Sequence, residues 1–229
     1  MFDPSLYHAL TGEQADLVRK VAEYTKIYFE NPKFDASHDF SHVLRVTAIA
    51  IKILEKEQKR ALSDNGKPYD ALTVVLGAIL HDVDDRKYRT AGAVEVSQAQ
   101  QELVRLGVEQ SQAKRIQALI DNVSYSSEVK NPQRVRDLLV TIPELGIVQD
   151  ADRLDAIGAV GLGRVFAYGA VKTSRGLSGS IDHLDEKLLK LESMMKTQTG
   201  RELAAEYTAR LEQFKSWWKD EVEFAGTLP

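Results

Sequence analysis

The sequence predicts an all-α fold, a single-domain helical bundle, on three observations. Apolar residues recur at helical spacing along almost the whole chain. No segment of useful length alternates apolar and polar side chains as a half-buried strand would. No composition shift, long linker or repeat of about 20–50 residues divides the chain, so one domain is expected over residues 1–229. At 229 residues, a compact chain of this length buries roughly 70–75% of its unfolded surface, enough for a sizeable core.

The first helix begins near Thr11, whose hydroxyl with Gln14 three residues later makes a capping box. Leu17, Val18, Val21, Tyr24 and Tyr28 share one face, and Asn31-Pro32 ends the run. A second helix is predicted from about Ser41 to Arg60, with Val43, Val46, Ala50, Ile53 and Leu54 inward and a solvated Lys/Glu face over 52–60. Asn65-Gly66 and Pro68 turn the chain. The third helix, capped by Asp70, reads ALTVVLGAILHD and is apolar nearly all round; it belongs at the centre, with His81-Asp82 at depth.

Further helical patterns cover about 92–106, 111–123, 135–141, 144–157, 161–172, 181–196 and 201–224, while 124–133 and 173–180 read as loops. The run GAVGLGR (158–164) fits neither a dinucleotide nor a Walker loop and follows no strand, so its small residues read as close helix packing. On the last helix, Trp217-Trp218 is expected to place one ring in the core and leave the other partly exposed.

Charge and composition narrow the chemistry. Thirty basic against 34 acidic side chains give a net charge of −4 with no long basic run, which leaves no footprint for wrapping polymeric nucleic acid. The absence of Cys excludes disulfides, thiolate zinc, iron–sulfur clusters and a cysteine nucleophile. Any metal must use the five His or the carboxylates. The start, MFDPSLYHALTGEQ, lacks a cationic segment followed by an apolar one, and the longest apolar stretch, Ala71 to Leu80, is far short of the roughly 20 residues that span a bilayer. A cytoplasmic protein without a membrane partner is expected.

Three clusters carry ligand chemistry: His38-Asp-Phe-Ser-His42 at a helix start, His81-Asp82 at the end of the apolar helix, and Asp150-Ala-Asp152-Arg-Leu-Asp155 in a later one. Inward side chains of facing helices can converge on one ion. Imidazole with carboxylate suits Mn, Fe, Co, Ni or Zn.

These residues resemble the signature of the HD-domain metal-dependent phosphohydrolases: a His, then a His-Asp doublet, then a distant Asp. The match is His42 in HVLRV, His81-Asp82 in AILHDVDD and Asp152 in VQDADRLDAIG. The blocks SHDFSHVLRV, HDVDDRKY, LIDNVSYSSE and IDHLDEKLLKLESMMKTQTGR extend the resemblance over about residues 20–220, to a compact branch similar to stand-alone nucleotide pyrophosphohydrolases. It implies an HD-type bundle with its signature core at about 38–155 and C-terminal helices over 181–224 packed on it.

The resemblance implies His42, His81, Asp82 and Asp152 as ligands of a divalent ion, manganese first, with Mg, Co, Ni, Fe and Zn also compatible. Asp85, three residues after Asp82, is the candidate to orient or deprotonate the attacking water. Arg86, Lys87 and Arg89 form a cationic patch suited to phosphate oxygens, with Lys87 the chosen contact because it lies in the DRKY block. His38 shares the face of His42 if the helix begins early, although Ser37 and Asp39 are plausible caps that would leave it in the preceding loop. His183 and Lys187, four apart, are implied as phosphate contacts; a surface helix pair explains them nearly as well. Tyr125 reads as a wall of a base pocket or as core packing, and Arg164 as a phosphate contact or the partner of an acid. Asp150 and Asp155 either support the site from outside or lie on a solvated face.

The activity implied is hydrolysis of a small nucleotide, from nucleoside triphosphate to monophosphate and pyrophosphate. Alternatives are phosphomonoester or alarmone hydrolysis on the same site and a non-catalytic, metal-containing nucleotide sensor. A di-iron oxygenase needs more His ligands, and only His8, His38 and His183 remain. The expected partner is a small phosphorylated molecule, and a homodimer is compatible with the aromatic C-terminal helix.

Overall fold

Helices account for every regular element among the described residues of the computed structural model, which are 9–31, 39–63, 66–83, 97–170 and 176–225. In chain order these are α1 (Gly12–Phe29), α2 (Phe40–Ser63), α3 (Ala71–Leu80), α4 (Gln98–Arg105), α5 (Gln110–Ile120), α6 (Tyr125–Lys130), α7 (Pro132–Thr141), α8 (Glu144–Asp155), α9 (Gly158–Tyr168), α10 (Leu177–Glu186) and α11 (Gln198–Ala225). The Thr11 capping box is present, with Gln14 N donating to Thr11 Oγ1 at 3.3 Å and Thr11 N to Gln14 Oε1 at 3.0 Å. Asp70 caps α3 through Leu72 N at 3.0 Å.

The centre is α3, in which every residue from Leu72 to Leu80 is buried. One side, through Val74 and Ala78, joins Val46, Ala50 and Ile53 of α2 and Ile147, Val148 and Ala151 of α8. The other, through Leu76, Ile79 and Leu80, packs with Val18 and Val21 of α1 and Ile116 of α5. Truncating a side chain as enclosed as Leu76 or Ile79 costs about 2–5 kcal/mol, so the helix carrying His81 is firmly held.

Several boundaries differ from the sequence reading, four of them by more than fraying at a helix end. The segment 124–133 is not a loop: the Ser124 hydroxyl caps α6 by accepting from Ser127 N at 3.2 Å, and Pro132 opens α7, where its missing N–H costs nothing. The pattern over 181–196 is not one helix, because α10 ends at Glu186 and two 3-10 turns follow, Leu188–Lys190 and Glu192–Met194. Lys187 leaves the α-helical region at φ −137°, ψ −53°, which ends α10 although buried Leu184, Leu188, Leu191 and Met195 keep a helical spacing. The expected loop 173–180 is shortened because α10 starts at Leu177 with Gly176 as N-cap. Helix α9 begins at Gly158 rather than 161, and Val165 on it reaches the core.

Trp217 is 58% exposed, as expected, but neighbouring Trp218 does not enter the core: it is half-buried and packs with Phe166 and Phe214 at the surface of the bundle. Among the described residues, no helix is long and apolar enough to cross a membrane.

Candidate metal centre

Helix α2 starts just after Asp39, whose carboxylate accepts from His42 N at 3.0 Å and so fixes His42 in the first turn. Because α2 packs on both α3 and α8, that first turn lies against the end of α3, where His81 is the C-cap and Asp82 follows it. Asp152 comes from the last turns of α8.

The four side chains converge. His42 Nε2 is 3.2 Å from His81 Nε2, 3.4 Å from Asp82 Oδ2 and 3.4 Å from Asp152 Oδ1. His81 Nε2 is 3.4 Å from Asp82 Oδ2 and 3.8 Å from Asp152 Oδ1. Both imidazoles are buried, whereas Asp82 and Asp152 keep 17% and 25% of their side chains exposed, which gives the cluster one face toward solvent.

This donor set fits a divalent cation. Two ligand atoms about 2.1 Å from one ion, at angles of about 90–110°, lie about 3.0–3.4 Å apart, close to the separations found. The outward ring nitrogens are engaged elsewhere: His81 Nδ1 lies 2.8 Å from the Ala78 carbonyl and His42 Nδ1 lies 2.7 Å from Asp155 Oδ2. Nε2 of each ring therefore faces the shared space. His42, His81 and Asp82 alone form a group able to hold a metal ion.

The electrostatics agree with a cation site. Burial opposes a charge on His42, but the carboxylates of Asp152, Asp155 and Asp82 outweigh it and push the imidazole up to about 10. Burial alone would raise the Asp152 carboxyl, yet His42 and His81 hold it below the usual carboxylate range while Asp82 pushes the other way. Two carboxylates repelling each other beside two imidazole nitrogens are relieved by a central positive charge.

Around this cluster lies a network that the sequence reading only partly anticipated. Asp155 accepts from Arg45 Nε at 2.7 Å, Arg45 Nη2 at 3.1 Å and Arg164 Nη1 at 2.9 Å. Arg164 thus pairs with an acid, one of its two expected fates, and Asp155 supports the site from outside. Arg45 was not among the candidates, although its place three residues after His42 in HVLRV puts the two on one helix face. Asp150 instead binds the start of α11, accepting from Thr197 N at 2.8 Å. Arg153, beside Asp152 in sequence, is buried and paired with Glu128 at 2.5 Å, another link that nothing local in the sequence signals.

Of the remaining candidates, His183 lies 3.2 Å from Glu186 on its own helix, a different neighbour from the Lys187 with which the sequence pairs it. Lys187 holds its Nζ 5.1 Å from the centroid of the Tyr125 ring, and Tyr125 packs against the core. Asp85, Lys87 and His38 lie outside the described residues, as do Arg86, Arg89 and His8.

The sequence profile of the HD domain matches residues 39–157, a span that contains all four converging side chains. The chain belongs to the HD domain family. As an HD domain it is 36% identical over 193 residues to the Bacillus subtilis protein YpgQ, covering 82% of this chain and 86% of that one. The crystal structure of Bacillus subtilis YpgQ in complex with ADP superposes with a TM-score of 0.71 at 29% identity, over 91% of this HD domain and 96% of that chain. An HD-superfamily hydrolase from Bacillus thuringiensis superposes with a TM-score of 0.68 at 28% identity, over 92% and 98% of the two chains.

Proposed function

We propose that this HD domain is a cytoplasmic, metal-dependent phosphohydrolase that converts a nucleoside triphosphate to its monophosphate and pyrophosphate. The observation that carries the reading is the convergence of His42, His81, Asp82 and Asp152, with both imidazole Nε2 atoms turned to the shared space. The structural likeness to an HD-superfamily hydrolase supports the reaction class, and the ADP complex of YpgQ supports a nucleotide as ligand.

His42, His81, Asp82 and Asp152 would hold the ion, and the mixed nitrogen and oxygen donors favour manganese within a set that includes Mg, Co, Ni, Fe and Zn. When bound, such an ion lowers the pKa of water and polarises a phosphoryl oxygen. The protein's own groups do the rest. Water adds to the α-phosphorus as the bond to the α–β bridging oxygen breaks, so that pyrophosphate leaves. Asp85, assigned from its place three residues after Asp82, accepts the water's proton. Lys87 and His38 are assigned to the phosphate oxygens from their positions beside the ligand blocks, with His183 and Lys187 as outer contacts. Lys187 lies over the Tyr125 ring, which places that aromatic side chain beside the assigned phosphate contact.

Metal analysis of the purified protein, followed by a nucleotide screen with Mn, Mg, Co and Ni and product separation, tests the reading. Monophosphate and pyrophosphate are expected, with activity lost in folded, metal-supplemented His81→Ala. Orthophosphate as the product would move the assignment to phosphomonoester hydrolysis, and an alarmone as best substrate to alarmone hydrolysis. Tight binding without turnover would identify a sensor. Full activity in His81→Ala would refute the metal assignment.

A further inference from the structure

Asp155 is not one of the four converging groups, yet only 1% of its side chain is exposed, and it joins three helices at the edge of the cluster. The geometry points to Asp155 as the positioning residue for His42: it accepts the Nδ1 hydrogen and so keeps the Nε2 lone pair aimed at the space shared with His81, Asp82 and Asp152. This rests on the reading of those four groups as a metal site.

A neutral imidazole carries one ring hydrogen, and the hydrogen bond made by one nitrogen decides which of the two is left to bind a metal. His81 solves this within its own helix, since its Nδ1 lies 2.8 Å from the Ala78 carbonyl, an atom already fixed by α3. His42 instead sends its Nδ1 to an acceptor on another helix, 2.7 Å across to Asp155, 113 residues away. A side-chain acceptor must itself be held. Arg45 grips it from α2 along one edge, Nε to Oδ1 at 2.7 Å and Nη2 to Oδ2 at 3.1 Å. Arg164 grips it from α9, Nη1 to Oδ2 at 2.9 Å. Both oxygens are thereby satisfied, the condition under which a buried carboxylate is tolerated.

The return of Arg164 to Asp155 depends on the sharp joint between α8 and α9. Gly158 adopts φ +69°, a conformation that L side chains rarely take, and a β-carbon on Gly161 would overlap the Ala156 carbonyl oxygen. The glycines of GAVGLGR, which bind no nucleotide loop, thus let α9 fold back closely enough for Arg164 to reach the carboxylate that holds His42. Gly163, where a β-carbon would meet nothing, has no part in this.

The test compares metal-free wild-type, Asp155→Asn and Arg164→Gln proteins in calorimetric titration with Mn2+, with circular dichroism as the folding control. Loss of an outer carboxylate partner of a ligating His typically weakens metal binding by about 10–100-fold, the drop expected for Asp155→Asn. Arg164→Gln should shift affinity in the same direction by less. The second readout is NMR of the Co2+-loaded proteins, in which the exchangeable imidazole hydrogens of metal-bound His are resolved. Wild type should show His42 and His81 Nδ1 hydrogens both protected from exchange; in Asp155→Asn the His42 hydrogen should exchange faster while that of His81 is unchanged. A purely structural role would lower the melting temperature without singling out one ring.

Folded Asp155→Asn that binds Mn2+ within about twofold of wild type overturns the inference, as does a fast-exchanging His42 hydrogen in the wild-type cobalt protein. Should Asp155→Asn fail to fold, Arg164→Gln and the wild-type cobalt spectrum decide. Wild type that takes up no Mn2+ would remove this inference together with the metal assignment, whereas equal uptake by wild type and Asp155→Asn removes the positioning role alone.

Discussion

Gly200 sits so close to Asp150 that a β-carbon on it would overlap the Asp150 carboxylate. That carboxylate is fully buried and accepts from Lys196 N at 2.8 Å, Thr197 N at 2.8 Å and Thr197 Oγ1 at 2.7 Å. Thr197 Oγ1 in turn accepts from Gly200 N at 2.8 Å, so α11 begins on an acid supplied by α8. Gly200→Ala is expected to destabilise the protein by about 1–3 kcal/mol, the usual cost of forcing a group into a filled site. Helix propensity acts in the other direction by about 1 kcal/mol, but the clash is with a carboxylate pinned by three hydrogen bonds. Urea unfolding measures it; a more stable variant would show that Asp150 moves aside.

Gly161 and Gly77 make a contrasting pair. A β-carbon on Gly161 would overlap the backbone carbonyl of Ala156, while one on Gly77 would come within 2.8 Å of Leu119 Cδ2, the far end of a flexible side chain. Gly161→Ala can be relieved only by opening the joint between α8 and α9, which carries Arg164 away from Asp155. It should therefore lose more stability than Gly77→Ala and, unlike Gly77→Ala, weaken Mn2+ binding. Thermal melting and calorimetry of the two proteins, side by side, check both expectations.

The four converging side chains are legible in the sequence through the resemblance of their blocks to the HD-domain signature; apolar periodicity supplies the helices that carry them but does not by itself separate Asp152 from Asp150 and Asp155. The Thr11 and Asp70 caps are legible because their partners are within three residues. What holds His42 is legible only in part: Asp155 and Arg164 each stand out with alternatives open, but their meeting with Arg45 at the His42 ring does not. Arg45, Asp155 and Arg164 come from three helices, and their meeting is a product of how α2, α8 and α9 pack. Arg153 shows the same limit: its neighbour Asp152 faces the cluster, while Arg153 points to Glu128 and the Met194 carbonyl. The break after α10 is hidden because buried Leu184, Leu188, Leu191 and Met195 recur at four-, three- and four-residue intervals, a helical stripe, although the backbone passes into 3-10 turns.

Glu128 ties α6 to the core through Arg153 Nη2 at 2.5 Å and Lys196 Nζ at 2.9 Å. Burial would raise its carboxyl, but Lys196 and Arg153 outweigh burial and hold it below its ordinary value of 4.5. A folded-state pKa below the unfolded one contributes stability that is fully present above the unfolded pKa and is lost as pH falls through the folded one. Glu128→Gln leaves the enclosed Arg153 without its anion and should cost about 3 kcal/mol at neutral pH. The gap between wild type and variant should stay constant down to about pH 5 and close in acid, as read from denaturant unfolding across pH. A gap that persists well below the ordinary carboxylate range would mean that charge is not the source of the stability.

His42, with its imidazole pushed up to about 10 by the facing carboxylates, is expected to carry both ring hydrogens at neutral pH before a metal binds and to present the Nε2 lone pair only once the ion displaces the proton there. Asp155 takes one of them, and Asp82 and Asp152 face the other nitrogen. A ligating imidazole must be neutral, so Mn2+ uptake should release close to one proton at this residue, and affinity should rise about tenfold per pH unit between about pH 6 and 8. Repeating the titration in buffers of different ionisation enthalpy counts that proton. The sign for stability is set by the same shift. A His pKa raised above its unfolded value of 6.5 contributes stability that is full below 6.5 and is lost as pH rises toward 10. Mn2+ at about 100 times its Kd should add about 2.7 kcal/mol, and because its affinity climbs over the range in which the metal-free protein weakens, the melting gap at fixed Mn2+ should widen from about pH 6 to 8. Mn2+ affinity that does not change with pH would mean that His42 is already neutral before the metal arrives.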